Sequence, residues 1–324
     1  MLSEIEKKLE EKLAIELGED KGRERFAHYT LAKEPLPNVL NEIKGRYPEY
    51  TGHDIGHVNR VLEKIYMLLG ESIDKINCEE LYLLLMAALF HDSGMVVSRD
   101  DHQNKIDLVF DAIRGTKDEV RAEKKLVKRI VRAHTGIGLD GSFDTLKDVD
   151  EKAPFEGKSI RLREISAVLR LADELEEERK RAAEFAFKNK MVSDESGIHH
   201  EYAKSINVHI DRNDGRIVLG YDISVAPDDF ESKIGFIFKR IVKLDNERRY
   251  VKYYSDILSP FKETQVTIDF WGQGNEEIEQ LSETFVLDDK VLPSSDCGLD
   301  LTARQDSVVT KIKNFYSSIP DKMQ

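Results

Sequence analysis

Glu79-Glu80-Leu81-Tyr82-Leu83-Leu84-Leu85-Met86-Ala87-Ala88-Leu89-Phe90 runs directly into His91-Asp92-Ser93-Gly94. Ten successive apolar or aromatic residues from Leu81 leave no polar stripe, which predicts a helix covered on nearly all sides. The run is too short to span a bilayer. It delivers a histidine and an aspartate deep into the protein, where ionisable groups must be paired or bound to metal. Two readings compete at this point. His91-Asp92 is a metal-ligand pair, or it is a helix stop with Asp92 capping the next turn and Gly94 closing it.

Composition narrows the classes. The chain has 324 residues, enough for one large domain or two ordinary ones, with 40% apolar and 34% charged residues, as in a soluble globular protein. Forty-nine basic against 62 acidic side chains give a formal charge of 49 − 62 = −13, unfavourable for indiscriminate binding to a phosphate backbone. Cys78 and Cys297 have no CxxC spacing, so neither a zinc ribbon nor a disulfide framework is expected. Met1-Leu2-Ser3-Glu4-Ile5 opens no secretory segment and no transmembrane stretch comes after it, so the expectation is a reduced, cytoplasmic protein without membrane contact.

Outward from the central run, residues 3–17 read as a charged amphipathic helix opened by a Ser3/Glu6 capping box, with Ile5, Leu9, Leu13, Ile15 and Leu17 on one side. Residues 18–25 read as a polar break. Pro35-Leu36-Pro37 starts a helix that Pro48 ends. Then comes Tyr50-Thr51-Gly52-His53-Asp54-Ile55-Gly56-His57-Val58-Asn59-Arg60-Val61, leading into Leu62, Ile65 and Leu68 at helical spacing. Beyond His91-Asp92, a helix begins near Asp100-Asp101-His102 and another ends at His134. Residues 137–154 read as a long loop bordering a site. The next helix carries Ile165, Val168, Leu169, Leu171 and Ala172 up to Asp173, an aspartate on an apolar face, and continues as a charged helix from Glu174 to Lys190. Past a boundary near 190–203, strands 204–211 and 216–223 flank Asn213-Asp214-Gly215, a hairpin signal. A long helix runs from Pro227 toward Leu258, a strand from Thr264 to Trp271, then a short helix near 276–285 and a final helix. His199-His200 reads as exposed loop.

His57, His91-Asp92 and Asp173 thus share one setting, a helix end or an inward helix side. Imidazole with carboxylate suits iron, manganese, zinc, nickel or cobalt, whereas calcium prefers oxygen alone. Without cysteine in the set, a closed structural zinc site is not expected. The order and surroundings resemble the HD phosphohydrolase superfamily: a histidine in Gly56-His57-Val58-Asn59-Arg60-Val61, a contiguous pair in Leu89-Phe90-His91-Asp92-Ser93-Gly94, and an aspartate in Leu169-Arg170-Leu171-Ala172-Asp173-Glu174-Leu175. The resemblance covers about residues 45–185.

That resemblance implies a helical bundle that holds one or two divalent ions (manganese, iron, nickel, cobalt, zinc or magnesium) and hydrolyses phosphate esters. By it, His57, His91, Asp92 and Asp173 bind the first metal and Asp92 could bridge to a second. His102 and His134 are the candidates for a second metal or for transition-state stabilisation, His134 the better placed. Met95 stands where HD-GYP hydrolases have a lysine, and a Gly-Tyr-Pro signature is missing, which argues against a cyclic di-GMP hydrolase of that type. His53 reads as a helix cap or a substrate contact. Arg60 and Arg132, with Arg170 and Lys128, are near enough in sequence to bind substrate phosphates, or else serve as surface charges and ion-pair partners.

The expected protein is therefore mainly α: an HD-type helical bundle at 49–195, a helical extension at 1–48 packing on it, and an appended α+β domain at 196–324. That last domain could cover the site, mediate homo-oligomerisation or bind a regulator. The expected activity is hydrolysis of a nucleotide or related small phosphoester. The alternatives are a nuclease acting on single strands or cyclic oligonucleotides, disfavoured by the acidic balance, and a sensor that binds a nucleotide without turnover.

Overall fold

Gly18, at φ +84°, separates α1 (Glu4–Leu17) from α2 (Glu19–Lys33), so the polar break expected over 18–25 shrinks to one residue. The reason is Gly22. A Cβ there would lie 2.7 Å from the backbone of Leu13, so only glycine lets the two helices lie this close. Polar composition had hidden a helix that buries only Gly22, Tyr29 and Ala32. The Ser3/Glu6 capping box forms as expected, and Ile5, Leu9 and Leu13 are buried, whereas Ile15 points outward.

The computed structural model describes residues 2–47, 54–134, 138, 140–177, 194–226, 230–272, 277–289 and 301–318. It is mainly α with an appended α+β region. Two compact units emerge. The first comprises 1–176 with 250–260, and the second 177–249 with 261–324. Residues 1–48 thus fall in the same unit as 49–176. The boundary expected at 195/196 adjoins residues 178–193, outside the described residues.

In the first unit, the chain continues through α3 (Leu36–Arg46), α4 (Ile55–Leu69), α5 (Cys78–Phe90), α6 (Ile106–Arg114), α7 (Asp118–Ala133) and α8 (Leu162–Glu174). The apolar run from Leu81 to Phe90 lies in α5, and all thirteen residues of that helix are buried. It packs against α1, α2, α4, α6, α7 and α8, which is why it needs no polar face. Each of its leucines contributes roughly 1.5–3 kcal/mol by leaving water. Asn77 caps its start, accepting from the Glu79 and Glu80 amides, while Glu80 reaches back to the Asn77 amide. Glu80 also takes the Arg161 guanidinium at 2.8 Å, clasping the start of α5 to the entry of α8.

One expectation in this unit is corrected. The loop over 137–154 runs into a hairpin, β1 (Ala153–Phe155) with β2 (Lys158–Ile160), turned by Glu156 at φ +49° and Gly157 at φ +75°. The charged helix expected from Glu174 to Lys190 falls almost wholly on residues 178–190, outside the described residues, but the end of α8 is seen. α8 stops at Glu174, where the Leu175 amide closes onto the Leu171 carbonyl and the chain folds Glu176 into the interior.

The second unit contains α9 (Asp194–Ser205), β3 (Ile206–Asp211), β4 (Arg216–Ser224), most of α10 (Phe230–Tyr254), β5 (Glu263–Trp271), β6 (Glu283–Asp288) and α11 (Thr302–Ser318). The strands form one sheet in the order β3-β4-β5-β6, antiparallel except for the parallel β4–β5 pair that α10 connects. Alternation sets its apolar face: Leu219 and Tyr221 of β4, Val266 and Ile268 of β5, and Phe285 of β6 are buried. Residues 283–288 are a strand where a helix was expected. Thr284 to Leu287 alternate in burial against β5, and only Glu279–Leu281 make a helical turn. His199-His200 is helical rather than loop: His199 is exposed on α9 and His200 is fully buried. The long helix ends at Tyr254, short of Leu258.

Candidate metal centre

Each histidine of the site is delivered by a helix end and oriented through Nδ1. Asp54 caps α4, accepting the His57 amide at 3.1 Å, and so places His57 in the first turn. The His57 Nδ1 donates to the Glu176 carboxylate, whose other oxygen takes Arg60 Nε. At the end of α5 the His91 Nδ1 donates to the Ala88 carbonyl at 2.8 Å, filling one of the acceptors a helix leaves unpaired at its C-terminus. His134 does the same at the end of α7 toward Val131, and His102 toward Arg99 at 2.8 Å. With Nδ1 the donor in all four rings, Nε2 is left in each as a lone-pair donor to whatever lies between them.

The four Nε2 atoms converge on Asp92 in two pairs. His57 and His91 are 3.0 Å apart at Nε2 and stand 3.3 and 3.2 Å from Asp92 Oδ2. Asp173 Oδ1 closes this group, 3.3 Å from His57 and 3.5 Å from His91. On the other side His102 and His134 are 3.3 Å apart at Nε2 and lie 3.5 and 3.8 Å from Asp92 Oδ1. Two nitrogens bound to one ion at about 2.0–2.1 Å are separated by ~2.8–3.4 Å at right-angle to tetrahedral bond angles. Both observed separations fall in that range. The donors therefore fit metal ions, and His57-His91-Asp92 and Asp92-His102-His134 are each close enough to hold one.

The electrostatics favour positive charge between these groups, whether a proton or a metal ion. Burial alone would lower the His91 pKa, but the Asp92 and Asp173 carboxylates overcome it and hold the ring well above its usual value. Asp173 sits well below the usual carboxylate range despite burial, because His57 and His91 hydrogen-bond to it. His134 goes the other way: burial pushes it down to about 4, so it is a neutral ligand at neutral pH. The carboxylates concentrate negative potential in a largely buried site, where a cation is strongly attracted.

Two fastenings hold the pair on α5 and α7. A Cβ on Gly94 would lie 2.0 Å from the His102 carbonyl oxygen, so glycine there lets the His102 turn press against the residues after Asp92. The Ala133 carbonyl accepts from Thr145 Oγ1 at 2.8 Å and from Arg170 at 3.3 Å, and the Arg170 guanidinium lies over the Tyr250 ring. This pins the last turn of α7 beside His134.

The structure brings together His57, His91, Asp92, Asp173, His102 and His134. Asp92 does not cap the turn after it, since its side chain makes no capping bond there. Arg60 lies at the edge of the site, bound to Glu176. Arg132 is exposed on the last turn of α7. Lys128 pairs with Asp107, and Arg170 is buried against the end of α7. His53 lies outside the described residues. Glu176 was missed by sequence reading. It stands three residues beyond Asp173, a spacing that shares one helical face, but its charged neighbours disguised it.

Among the described residues no helix is long and apolar enough to cross a membrane. No curated protein matches the chain. The HD-CE family model matches residues 47–123 and 108–246, together more than half of the chain and inclusive of every histidine and aspartate of the centre. This chain, with its buried His/Asp group in an HD-like domain, belongs to the HD-CE family.

Proposed function

We propose that the chain is a metal-dependent phosphohydrolase acting on a nucleotide or related small phosphoester. One observation carries this reading: each Asp92 oxygen faces its own pair of Nε2 donors, as a carboxylate shared by two cations would. His57, His91, Asp92 and Asp173 would hold one ion, and Asp92, His102 and His134 the other. Such ions lower the pKa of a water and polarise a phosphoryl oxygen. The protein residues supply orientation. Glu176 and the Ala88, Arg99 and Val131 carbonyls keep all four rings in one tautomer, so no ring has to turn before substrate arrives.

Access is uneven. The side chains of His57 and His91 are sealed, while Asp173 and His102 retain 24% and 17% exposure, so substrate approaches across these two. Both Asp92 oxygens face imidazoles, whereas Asp173 meets His57 and His91 through Oδ1, its carboxyl held well below the usual range and so suited to bind a cation rather than to take a proton. Arg60 is already tied to Glu176, so the exposed Arg132 is the better placed of the two to meet a substrate phosphate.

The test is metal analysis of the purified chain, then assays of nucleotides, cyclic nucleotides and single-stranded DNA with manganese, nickel or cobalt. Turnover of a nucleotide or small phosphoester is expected, falling to background in His91→Ala and Asp92→Ala. Metal uptake with no turnover of any panel member would replace hydrolysis by nucleotide sensing. Turnover confined to DNA would make the chain a nuclease.

A further inference from the structure

A second polar cleft lies in the first unit at the opposite end of α5 from His91-Asp92. Its volume is about 530 Å³, and its walls include Arg25, His28, Glu79, Arg114 and Glu123. That size lies within the range of small-ligand sites. Five of its charged side chains pair with one another. Glu123 accepts from Arg114 at 3.0 and 3.2 Å and from the Tyr82 hydroxyl at 2.9 Å. Arg25 pairs with Glu79 and Glu156, both at 3.3 Å, while its guanidinium lies over the Tyr82 and Phe155 rings.

Two atoms are left over. Glu79 is 1% exposed, yet its Oε2 has no hydrogen-bond partner among the described residues, and neither has the buried Nδ1 of His28. Buried polar atoms are rarely left unpaired, because each forfeits its hydration without replacement. Arg25 balances Glu79 and Arg114 balances Glu123, so around these pairs what is missing is a hydrogen bond rather than a charge. The carboxylate oxygen wants a donor. The neutral imidazole offers its Nδ1 either as donor or as acceptor.

We propose that this cleft is a second ligand site, taking a neutral molecule whose edge carries an N–H donor beside an acceptor, the amide-type edge shared by nucleobases and carboxamides. The N–H bonds Glu79 Oε2 and the adjacent group bonds His28 Nδ1. A phosphate is not required, which separates this ligand from any substrate of the metal centre.

Calorimetric titration of the full chain with adenosine, cytidine, guanosine and nicotinamide tests this. Binding of at least one is expected, nucleosides and nicotinamide distinguishing the two sources of the edge. Glu79→Gln and, independently, His28→Phe should weaken it by roughly tenfold or more, the loss expected for one buried hydrogen bond to a charged group. His91→Ala should leave it unchanged. Thermal unfolding controls for Glu79→Gln, which also alters the Arg25 pair, and His28→Phe stands in if that variant does not fold. The proposal is overturned if no probe binds at millimolar concentration, if both cleft variants bind as the parent does, or if binding disappears only in His91→Ala.

Discussion

Glu176 touches nothing that reacts, yet it determines which nitrogen of His57 faces the other rings. Replacing it by Gln keeps an oxygen for Nδ1–H but removes the charge that Arg60 balances. Metal affinity should fall about 10–100-fold, as when such supporting partners are removed elsewhere. Titration with manganese or zinc measures this. Gly94→Ala tests the opposite side. The new Cβ must displace the His102 backbone, at a cost on the order of 1–3 kcal/mol, so the ion held by His102 and His134 should be lost before the one held by His57 and His91. Metal stoichiometry would show it, and full occupancy with unchanged affinity would contradict the assignment of His102. At this scale His57, His91, Asp92 and Asp173 were legible because each is a polar residue in an apolar setting. Glu176 was not, because its setting is a run of other charges. Gly94 was readable as a turn but not as a contact, since the atom it spares belongs to a residue eight positions away.

Among the elements, α5 was legible for the same reason, a run with no polar stripe, and α2 and β6 were not. The buried face of α2 is only Gly22, Tyr29 and Ala32, and β6 owes its form to pairing with β5, a partner that local periodicity cannot reveal. The Ser3/Glu6 capping box was readable because it is local, whereas Asp92 does not cap and Asn77 was not singled out; caps nonetheless carry testable energy. Asn77→Ala removes the acceptor for two amides at the start of α5 and should cost about 1 kcal/mol, read as a shift in denaturant midpoint. The start of α1 adds a pH dependence. Burial would raise the Glu6 pKa, but Lys33, Ser3 and the Tyr29 hydroxyl bond its carboxylate, and the net shift is downward. A carboxylate depressed in the folded state stabilises fully above its unfolded pKa of about 4.3 and loses that contribution as pH falls through the lower folded value. Glu6→Gln should therefore be most destabilising at neutral pH, its difference from the parent shrinking below pH ~4. Urea midpoints at neutral and acid pH test the sign.

For the molecule as a whole, metal and folding are linked. An ion bound at a hundred times its dissociation constant stabilises the folded state by ~2.7 kcal/mol, so chelation should lower the unfolding temperature of the parent and not that of a His91→Ala/Asp92→Ala double variant. The burial of α5 on every side has a further consequence, which belongs to time rather than geometry. Its amides cannot reach solvent by fraying, because no flank of the helix borders water. They exchange hydrogen for deuterium only when the surrounding unit opens globally, which makes residues 82–90 a gauge of that opening. Any ion captured at His91-Asp92 should then slow deuterium uptake along the whole of α5 by one common factor, rather than in a gradient that fades with distance from the metal.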